Sequence, residues 1–377
     1  MNIVHVLSGL TKGGGERMVL ELANQSRANG NTVTILAGWP ENPEHLQNKL
    51  LPGIEVKFIS QQRKFAYLRI FSFLIANRKW LTKQDIVHCH LMFGYVFGAS
   101  CFVLLKKIFR YKLPLIIETN HAVGMPVPKF NRWVHSCMAS MGDGLALMAE
   151  DPYWNAFIKK NNQLLTATIK NGVSVIRPFD ISQYKTKLSA KLNLPKAALL
   201  VGTISMLRPD RKPLLYIPIF KEIYQALGNQ VHFILGGSGE EYNNIQNLIA
   251  KEGLQNNFHM LGLVNEPTEI ISCLDVYVSI SVGETAGISM IEAAMCGVPL
   301  VAIQAIPTYE VKASDWVWSD PSTGKVAQKI ISLLKNAEEQ ATLAEKQFNY
   351  VNMHFTSSAM YNAYFQFYKE LLSTNVK

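Results

Sequence analysis

Two glutamates eight positions apart, Glu284 and Glu292, stand in the run Ser281-Val282-Gly283-Glu284-Thr285-Ala286-Gly287-Ile288-Ser289-Met290-Ile291-Glu292-Ala293-Ala294-Met295-Cys296-Gly297-Val298-Pro299. The run follows the apolar stretch Val276–Ile280 and closes in a Gly-Val-Pro that stops a helix before another strand begins. At ~100° per residue, eight residues along one helix would turn the carboxylates to different faces. Glu284 is therefore expected in the loop and Glu292 on the helix, both reaching one ligand. A second reading stays open: Ser289-Met290-Ile291-Glu292 fits a capping box, in which Glu292 only returns to the cap. That reading leaves Glu284 and the small residues around it without a purpose.

Three consecutive glycines, Gly13, Gly14 and Gly15, separate an apolar run (Ile3, Val4, Val6, Leu7) from a segment of helical spacing (Met18, Val19, Leu22, Ala23). A P-loop needs a lysine and a hydroxyl residue after its last glycine, and Glu16-Arg17 follow instead. A dinucleotide fingerprint needs another glycine three positions on, and none occurs before Gly30. What remains is a permissive turn, or a strand-to-helix turn whose amides meet an anion. His88 and His90 close one strand-like run and His121 follows the next. Without carboxylates beside them they suit a structural or substrate-binding role better than a metal site. Two aspartates with one residue between them occur nowhere, so an acidic metal-binding pair of that kind is missing.

Such groups must be held by regular elements. Short apolar runs alternate with helical patterns: Asn2–Leu7, Thr32–Ala37, Glu55–Ile59, Asp85–His90, Leu113–Thr119, Gly144–Met148 and Thr166–Ile169, then Ala198–Leu207, His232–Leu235, Phe258–Leu261, Val276–Ile280 and Pro299–Ile303. From Thr323 onward only helical patterns remain. Alternation of this kind predicts an α/β protein with parallel sheets, and 377 residues suit two doubly wound domains. Ligands of such sheets sit beyond the carboxyl ends of the strands, where the glutamates, glycines and histidines fall. The expected division is 1–172, a linker 173–195, 196–350, and a C-terminal helix 351–377 packing back on the first domain.

The five cysteines form no metal or disulfide spacing, no charged and apolar leader opens the chain, and no apolar stretch reaches the ~20 residues of a membrane span. A cytoplasmic protein is expected. The net charge of +9 is uneven: residues 1–172 carry 20 Lys and Arg against 10 Asp and Glu, and residues 173–377 carry 17 against 18. Gln61–Gln84 and Leu91–Ile117 hold ten basic residues and no acid, interleaved with aromatics. Such segments are a solvated face, or they meet an anionic membrane surface or a nucleic acid.

The glutamate spacing is the E-x7-E motif of retaining GT-B glycosyltransferases, and the chain resembles glycosyltransferase family 4. The likeness runs through the Gly-rich first turn, Asp85-Ile86-Val87-His88-Cys89-His90, Thr119-Asn120-His121, Asn171-Gly172-Val173, Gly236-Gly237-Ser238-Gly239-Glu240, the glutamate block and the last helices. It implies a GT-B fold, two Rossmann-like domains facing across a cleft, the first for the acceptor and the second for a nucleotide-sugar donor. Glu292 would accept from the ribose diol and Glu284 from the donor sugar, with the amides of Gly287, Ile288 and Ser289 toward sugar and diphosphate. Gly14 and Gly15 would approach the diphosphate, Gly237, Glu240 and Leu263 the base and ribose, and His121 the donor sugar, with His90 a weaker candidate beside it. The leaving diphosphate needs cations. Lys212 matches the family's lysine, whereas Met206 stands at the usual arginine and Pro213 at the usual glycine, leaving Arg208 as the substitute.

The activity implied is retaining transfer of a sugar from a nucleotide diphosphate, a UDP-sugar ahead of a GDP-sugar, to a hydroxyl of a lipid-linked or surface-polysaccharide glycan. No resident cofactor or metal is implied, and no nucleic acid. Location at the inner face of the plasma membrane would suit the basic segments. Two rivals share parts of the pattern: a sugar-nucleotide epimerase of the same fold, and a basic nucleic-acid-binding or scaffold protein.

Overall fold

The structure, a computed structural model, describes residues 1–10, 13–40, 48–121, 128–149, 151–161, 163–174, 181–280, 287–303 and 316–375. It divides into two compact units, Met1–Ser174 with Phe355–Lys377, and Val175–His354. The expected α/β class holds in each.

The first unit is built on seven parallel strands in the order β3-β2-β1-β4-β5-β6-β7: β1 Asn2–Gly9, β2 Thr32–Trp39, β3 Glu55–Phe58, β4 Ile86–His90, β5 Leu115–Asn120, β6 Gly144–Leu147 and β7 Leu165–Thr168. Its described helices are α1 Gly14–Ala28, α2 Arg63–Ala66, α3 Ile70–Leu81, α4 Leu91–Cys101, α5 Lys129–Ala139 and α6 Pro152–Lys160. The central strands are apolar almost throughout because both faces are covered. On one face Val4, Val6, Val87, Cys89 and Ile116 pack under Phe93, Phe97, Cys101 and Leu105. The covering helix lies close because Gly94 and Gly98 face the sheet: a Cβ on Gly94 would stand 2.7 Å from the Val6 carbonyl oxygen.

That helix runs on into a π-helical stretch, Phe102–Ile108. Together they make an 18-residue segment, Leu91–Ile108, long and apolar enough to cross a membrane, at a mean hydropathy of 1.6. The sequence reading saw no stretch of that length. Half of the segment is buried, and its apolar residues form the cover of the sheet.

The second unit carries six parallel strands in the order β10-β9-β8-β11-β12-β13: β8 Leu199–Ile204, β9 Val231–Gly236, β10 Phe258–Gly262, β11 Val276–Ser279, β12 Leu300–Ile303 and β13 Trp318–Asp320. Its helices are α7 Ile181–Leu192, α8 Tyr216–Leu227, α9 Tyr242–Lys251, α10 Pro267–Ile271, α11 Ile288–Met295, α12 Thr323–Lys335 and α13 Ala337–His354. The core sets Val201, Phe233, Val276 and Val278 against Phe220, Ile223, Ile330 and Leu333. Two features differ from the sequence reading. Strand β13 is three residues long, too short for any periodicity. Residues 181–192, inside the expected linker, form α7, and Lys185 Nζ donates to the Asp275 carboxylate at 3.4 Å.

The last helix, α14 Ser357–Asn375, belongs to the first unit. Gln25 Nε2 donates to Ser357 Oγ at 2.9 Å and Asn31 Nδ2 to the Tyr361 hydroxyl at 3.0 Å. Deeper in, Tyr368 and Thr119 engage the two ring nitrogens of His88 at 2.7 and 2.6 Å, and Tyr364 lies 3.0 Å from Thr119 Oγ1. His5, directly opposite His88 in the sheet, and His90 complete a buried histidine cluster between sheet and helix.

Burial holds these rings neutral. His5 is pushed down to about 3 and partly buried His121 to about 4, while desolvation and then the neighbouring rings hold His88 and His90 well below the usual histidine range. Unfolded histidines titrate near ~6.5. Below that pH the unfolded chain binds protons that the folded chain excludes, so this stabilisation is complete above about pH 6.5 and is lost as pH falls through the lower, folded values. Each tenfold difference in proton affinity is worth about 1.4 kcal/mol. Urea denaturation should therefore give a midpoint that drops steadily from about pH 7 to about pH 5. A midpoint that stays level over that span would mean the rings take up protons in the folded protein as readily as in the unfolded chain.

Candidate active site

In the second unit, the segments following β8, β9 and β10 are joined backbone to backbone. Ser205 N donates to Gly236 O at 2.9 Å, Leu207 N to Ser238 O at 2.9 Å, Glu241 N to Leu207 O at 2.9 Å, and Gly237 N to Gly262 O at 2.7 Å. The glycines are required by this contact. Gly237 (φ 141°) and Gly239 (φ 152°) occupy backbone conformations disfavoured for other residues, and a Cβ on either would strike the carbonyl oxygen of Ser205 or Leu207.

The segment after β8 carries the expected cations. Lys212 sits between two single 3-10 turns, Pro209–Arg211 and Pro213–Leu215, in the left-handed region (φ 47°, ψ 44°). A lysine there carries strain of ~1–3 kcal/mol, and the following proline normally favours extended backbone. An open pocket of about 580 Å³ lies among Lys212, Pro213, Glu241, Ile303, Ser322 and Thr323, at the carboxyl ends of the strands. Arg208 is exposed, and its guanidinium grips Asp210 with Nε and Nη2 at 2.8 and 2.7 Å from the two carboxylate oxygens. To hold a phosphate it must share or release that partner. Half-buried Arg211, beside the same aspartate, has its proton affinity lowered by burial.

The glutamate block is described from Gly287 onward, and Glu284 lies outside the described residues. Helix α11 begins after Gly287, with no side-chain cap on its N-terminal amides. Ser289 is thus the second helical residue, not the cap, which removes the capping-box reading of Glu292. Glu292 is buried beside the strand end of β11. Burial raises the Tyr277 phenol, hydrogen bonds to Ser289 and Thr203 lower it in part, and the Glu292 carboxylate raises it again. The Tyr277 hydroxyl also donates to Ile204 O at 3.0 Å. Gly287 and Glu240 are exposed, as is Leu263 after β10, while Gly237 is buried. Ile288 and Ser289 are half-buried.

In the first unit the strand order reverses between β1 and β4, the position where doubly wound sheets open a crevice. Gly14 and Gly15 start α1 immediately after β1, and a Cβ on Gly15 would stand 3.1 Å from Leu91 Cδ2, next to His90. Leu91 itself has a left-handed φ of 60°. His90 Nδ1 lies 3.2 Å from His121 Nε2 and His90 Nε2 lies 3.1 Å from His5 Nδ1.

Each unit therefore gathers its own expected residues: Gly14, Gly15, His90 and His121 in the first, and Arg208, Lys212, Gly237, Glu240, Leu263, Gly287, Ile288, Ser289 and Glu292 along the strand ends of the second. Two residues were missed. Glu241, adjacent to Glu240, is the one that lines the pocket with Lys212. His5 shares the sheet face of His88 and His90, a relation that strand alternation and pairing of β1 with β4 could have exposed.

Comparison with known proteins agrees with this layout. The family model for glycosyltransferase family 4 matches residues 12–145, and that for glycosyl transferases group 1 matches residues 184–349. N-acetyl-alpha-D-glucosaminyl L-malate synthase of Bacillus anthracis is 23% identical over 381 residues, 96% of this chain and 94% of that one. The O-antigen biosynthesis glycosyltransferase WclY of Escherichia coli is 22% identical over 316 residues, 78% of this chain and 81% of the relative. HepE of Anabaena, solved with UDP and glucose, superimposes with a TM-score of 0.76 at 19% identity over 99% of this chain and 100% of its own. A two-sheet fold matched from end to end, with both halves recognised, makes this chain an enzyme of GT-B fold that belongs to glycosyltransferase family 4, the glycosyl transferases of group 1.

Proposed function

We propose that the enzyme transfers a sugar from a UDP-sugar to a hydroxyl of a glycan or lipid-linked acceptor, with retention and without a metal ion. The observation that carries this reading is Lys212: a cation in a strained backbone conformation at a strand-end pocket, facing Glu241. Strain of this kind persists where function requires the residue's position. Support comes also from Glu292, buried on a helix whose N-terminal amides carry no side-chain cap. Such a terminus suits phosphate, and a carboxylate has two oxygens for a ribose diol. HepE was solved with UDP and glucose, and WclY is named for O-antigen biosynthesis.

In this reading the bond from the anomeric carbon to the diphosphate breaks while the acceptor oxygen bonds to the same face of that carbon. The acceptor proton passes to the departing diphosphate oxygen. Lys212, with Arg208 drawn from Asp210, stabilises the charge that develops there. Glu284, outside the described residues, and His121 serve sugar hydroxyls. The absence of paired aspartates in the sequence favours side-chain cations over a metal ion in that role.

The acceptor side is read from the surface of the first unit. Leu68, Phe71 and Ile75 are exposed at helical spacing among exposed Arg63, Lys64, Arg69 and Lys79. Ile108, Phe109 and Tyr111 are exposed beside Lys107, Arg110 and Lys112, and Phe130 and Trp133 beside Lys129. Apolar side chains that enter the headgroup region, ringed by cations, suit an anionic leaflet, where each basic residue adds ~1 kcal/mol. A lipid-linked acceptor would be found there.

Lys212→Gly separates function from folding. It should leave the denaturation midpoint unchanged or raise stability by up to about 1 kcal/mol, since glycine accepts the left-handed backbone, while turnover with UDP-sugar falls by about 10²–10³. Turnover near the wild-type level would contradict the assigned role. Liposome flotation tests the surface. Binding should need anionic lipid, weaken as salt rises, and drop when Arg63, Lys64, Arg69 and Lys79 are neutralised. Protein that stays in solution at low salt with anionic vesicles would favour a soluble acceptor.

A further inference from the structure

Three imidazoles meet nitrogen to nitrogen in the first unit, one from the middle of β1, one from the end of β4 and one just past β5. His5 Nδ1 lies 3.1 Å from His90 Nε2, and His90 Nδ1 lies 3.2 Å from His121 Nε2. Both distances are those of hydrogen bonds. A neutral imidazole has one N–H and one lone pair, so His90 must accept through one nitrogen and donate through the other. The whole row then runs in one sense, from His5 outward to His121 or from His121 inward to His5.

The far end of His5 decides between them. His5 Nε2 is buried and has no hydrogen-bond partner. If the row ran inward, His5 would donate nothing to His90 and would carry its proton on Nε2, leaving a buried N–H with nothing to bond. Orphaned buried donors are rarer in folded proteins than orphaned acceptors, and each costs ~1–3 kcal/mol. Run outward, the same row leaves only a lone pair unmet. The protons then stand on Nδ1 of all three rings, and His121 accepts at Nε2.

His88 belongs to a different set. Its ring packs on His90 with centroids 3.9 Å apart, but both of its nitrogens are engaged by Tyr368 and Thr119. His5, His88 and His90 each bring a ligating atom within 4.8 Å of the others, the spacing of a metal triad. A metal there would have to take one nitrogen of His88 from its short hydrogen bond to Tyr368 or Thr119. The hydrogen-bonded arrangement needs no such exchange.

We propose that His5 and His90 are positioning residues that hold His121 as the neutral Nδ1–H tautomer, so that it offers a hydrogen-bond donor to a hydroxyl oxygen of the donor sugar. The proposal rests on the reading of His121 as a sugar-binding residue. Neither His5 nor His90 touches the substrate. Their effect is transmitted through the row, in which each donation polarises the next and strengthens the last donor. A lone histidine at a strand end would exchange its two tautomers and present the wanted donor only part of the time.

The test uses the full chain labelled with ¹⁵N-histidine and long-range ¹H–¹⁵N correlation at neutral pH, which distinguishes the two neutral tautomers from each other and from imidazolium. Loss of signals in His121→Gln identifies the residue. Wild-type His121 should be neutral and protonated on Nδ1. His5→Leu removes the first donor and should admit the Nε2–H form, with kcat for UDP-sugar turnover falling roughly tenfold, the worth of about one hydrogen bond. His5→Asn places an amide N–H where the imidazole Nδ1 stood and should restore both the tautomer and the rate. His121 protonated on Nε2 or charged in the wild type overturns the proposal, as does stoichiometric zinc in the purified protein or an unchanged kcat in His5→Leu. If His5→Leu does not fold, the wild-type spectrum and His5→Asn decide. The spectrum is independent of turnover, so a wrong substrate assignment would show as inactivity of the wild type, and a wrong relay as the wrong tautomer.

Discussion

The backbone of Ser205–Leu207 lies directly on the backbone of Gly236–Ser238, and the chemistry of the second unit depends on that contact. Parallel strands end in a row of carbonyl-side loops, which need partners once they are partly buried. Here the loops satisfy one another, and glycine is the residue that allows it. The result is a rigid ledge across the ends of β8, β9 and β10. Lys212 leaves it in a conformation that a flexible loop would relax. Glu241, whose amide is bonded to Leu207 O, is carried to the same pocket.

A different constraint governs the first unit. Its sheet buries three histidines on one face under the C-terminal helix, where charged rings would be costly. Neutral imidazoles are tolerable only when hydrogen-bonded, so the rings are matched to tyrosine and threonine hydroxyls or to one another. The same bonding joins α14 to the sheet, which gives the C-terminal segment a reason to return to the unit where the chain begins. The polar network therefore serves cohesion and, at its outer end, positions His121.

Twelve of the thirteen described strands were legible in the sequence: the central ones, buried on both faces, are unbroken apolar runs, and the half-buried β3, β7 and β10 are short runs set between helical patterns. Strand β13 was not, since Trp318–Asp320 is too short to carry a pattern and takes its identity from pairing with β12. The helix at 181–192 was passed over because it buries little; Leu188 is its one fully buried residue. The E-x7-E spacing located Glu292, but setting aside the capping-box reading needed the position of the helix start, two residues earlier than a Ser289 cap would require. Glu241, next to Glu240 in the Gly-rich loop, lines the pocket with Lys212 and was not legible, because a loop has no period from which to read side-chain direction. His5 stands inside the apolar run of β1 and carries no signal of its own; only the register with β4 sets it against His88.

Hydrogen–deuterium exchange with and without UDP tests most directly whether the ledge of the second unit holds the nucleotide diphosphate. Saturating UDP should slow exchange in peptides covering residues 204–215, 236–242 and 287–296, the strand-end segments that carry Lys212, Glu241 and Glu292. Unchanged exchange in all three at saturation would contradict the account.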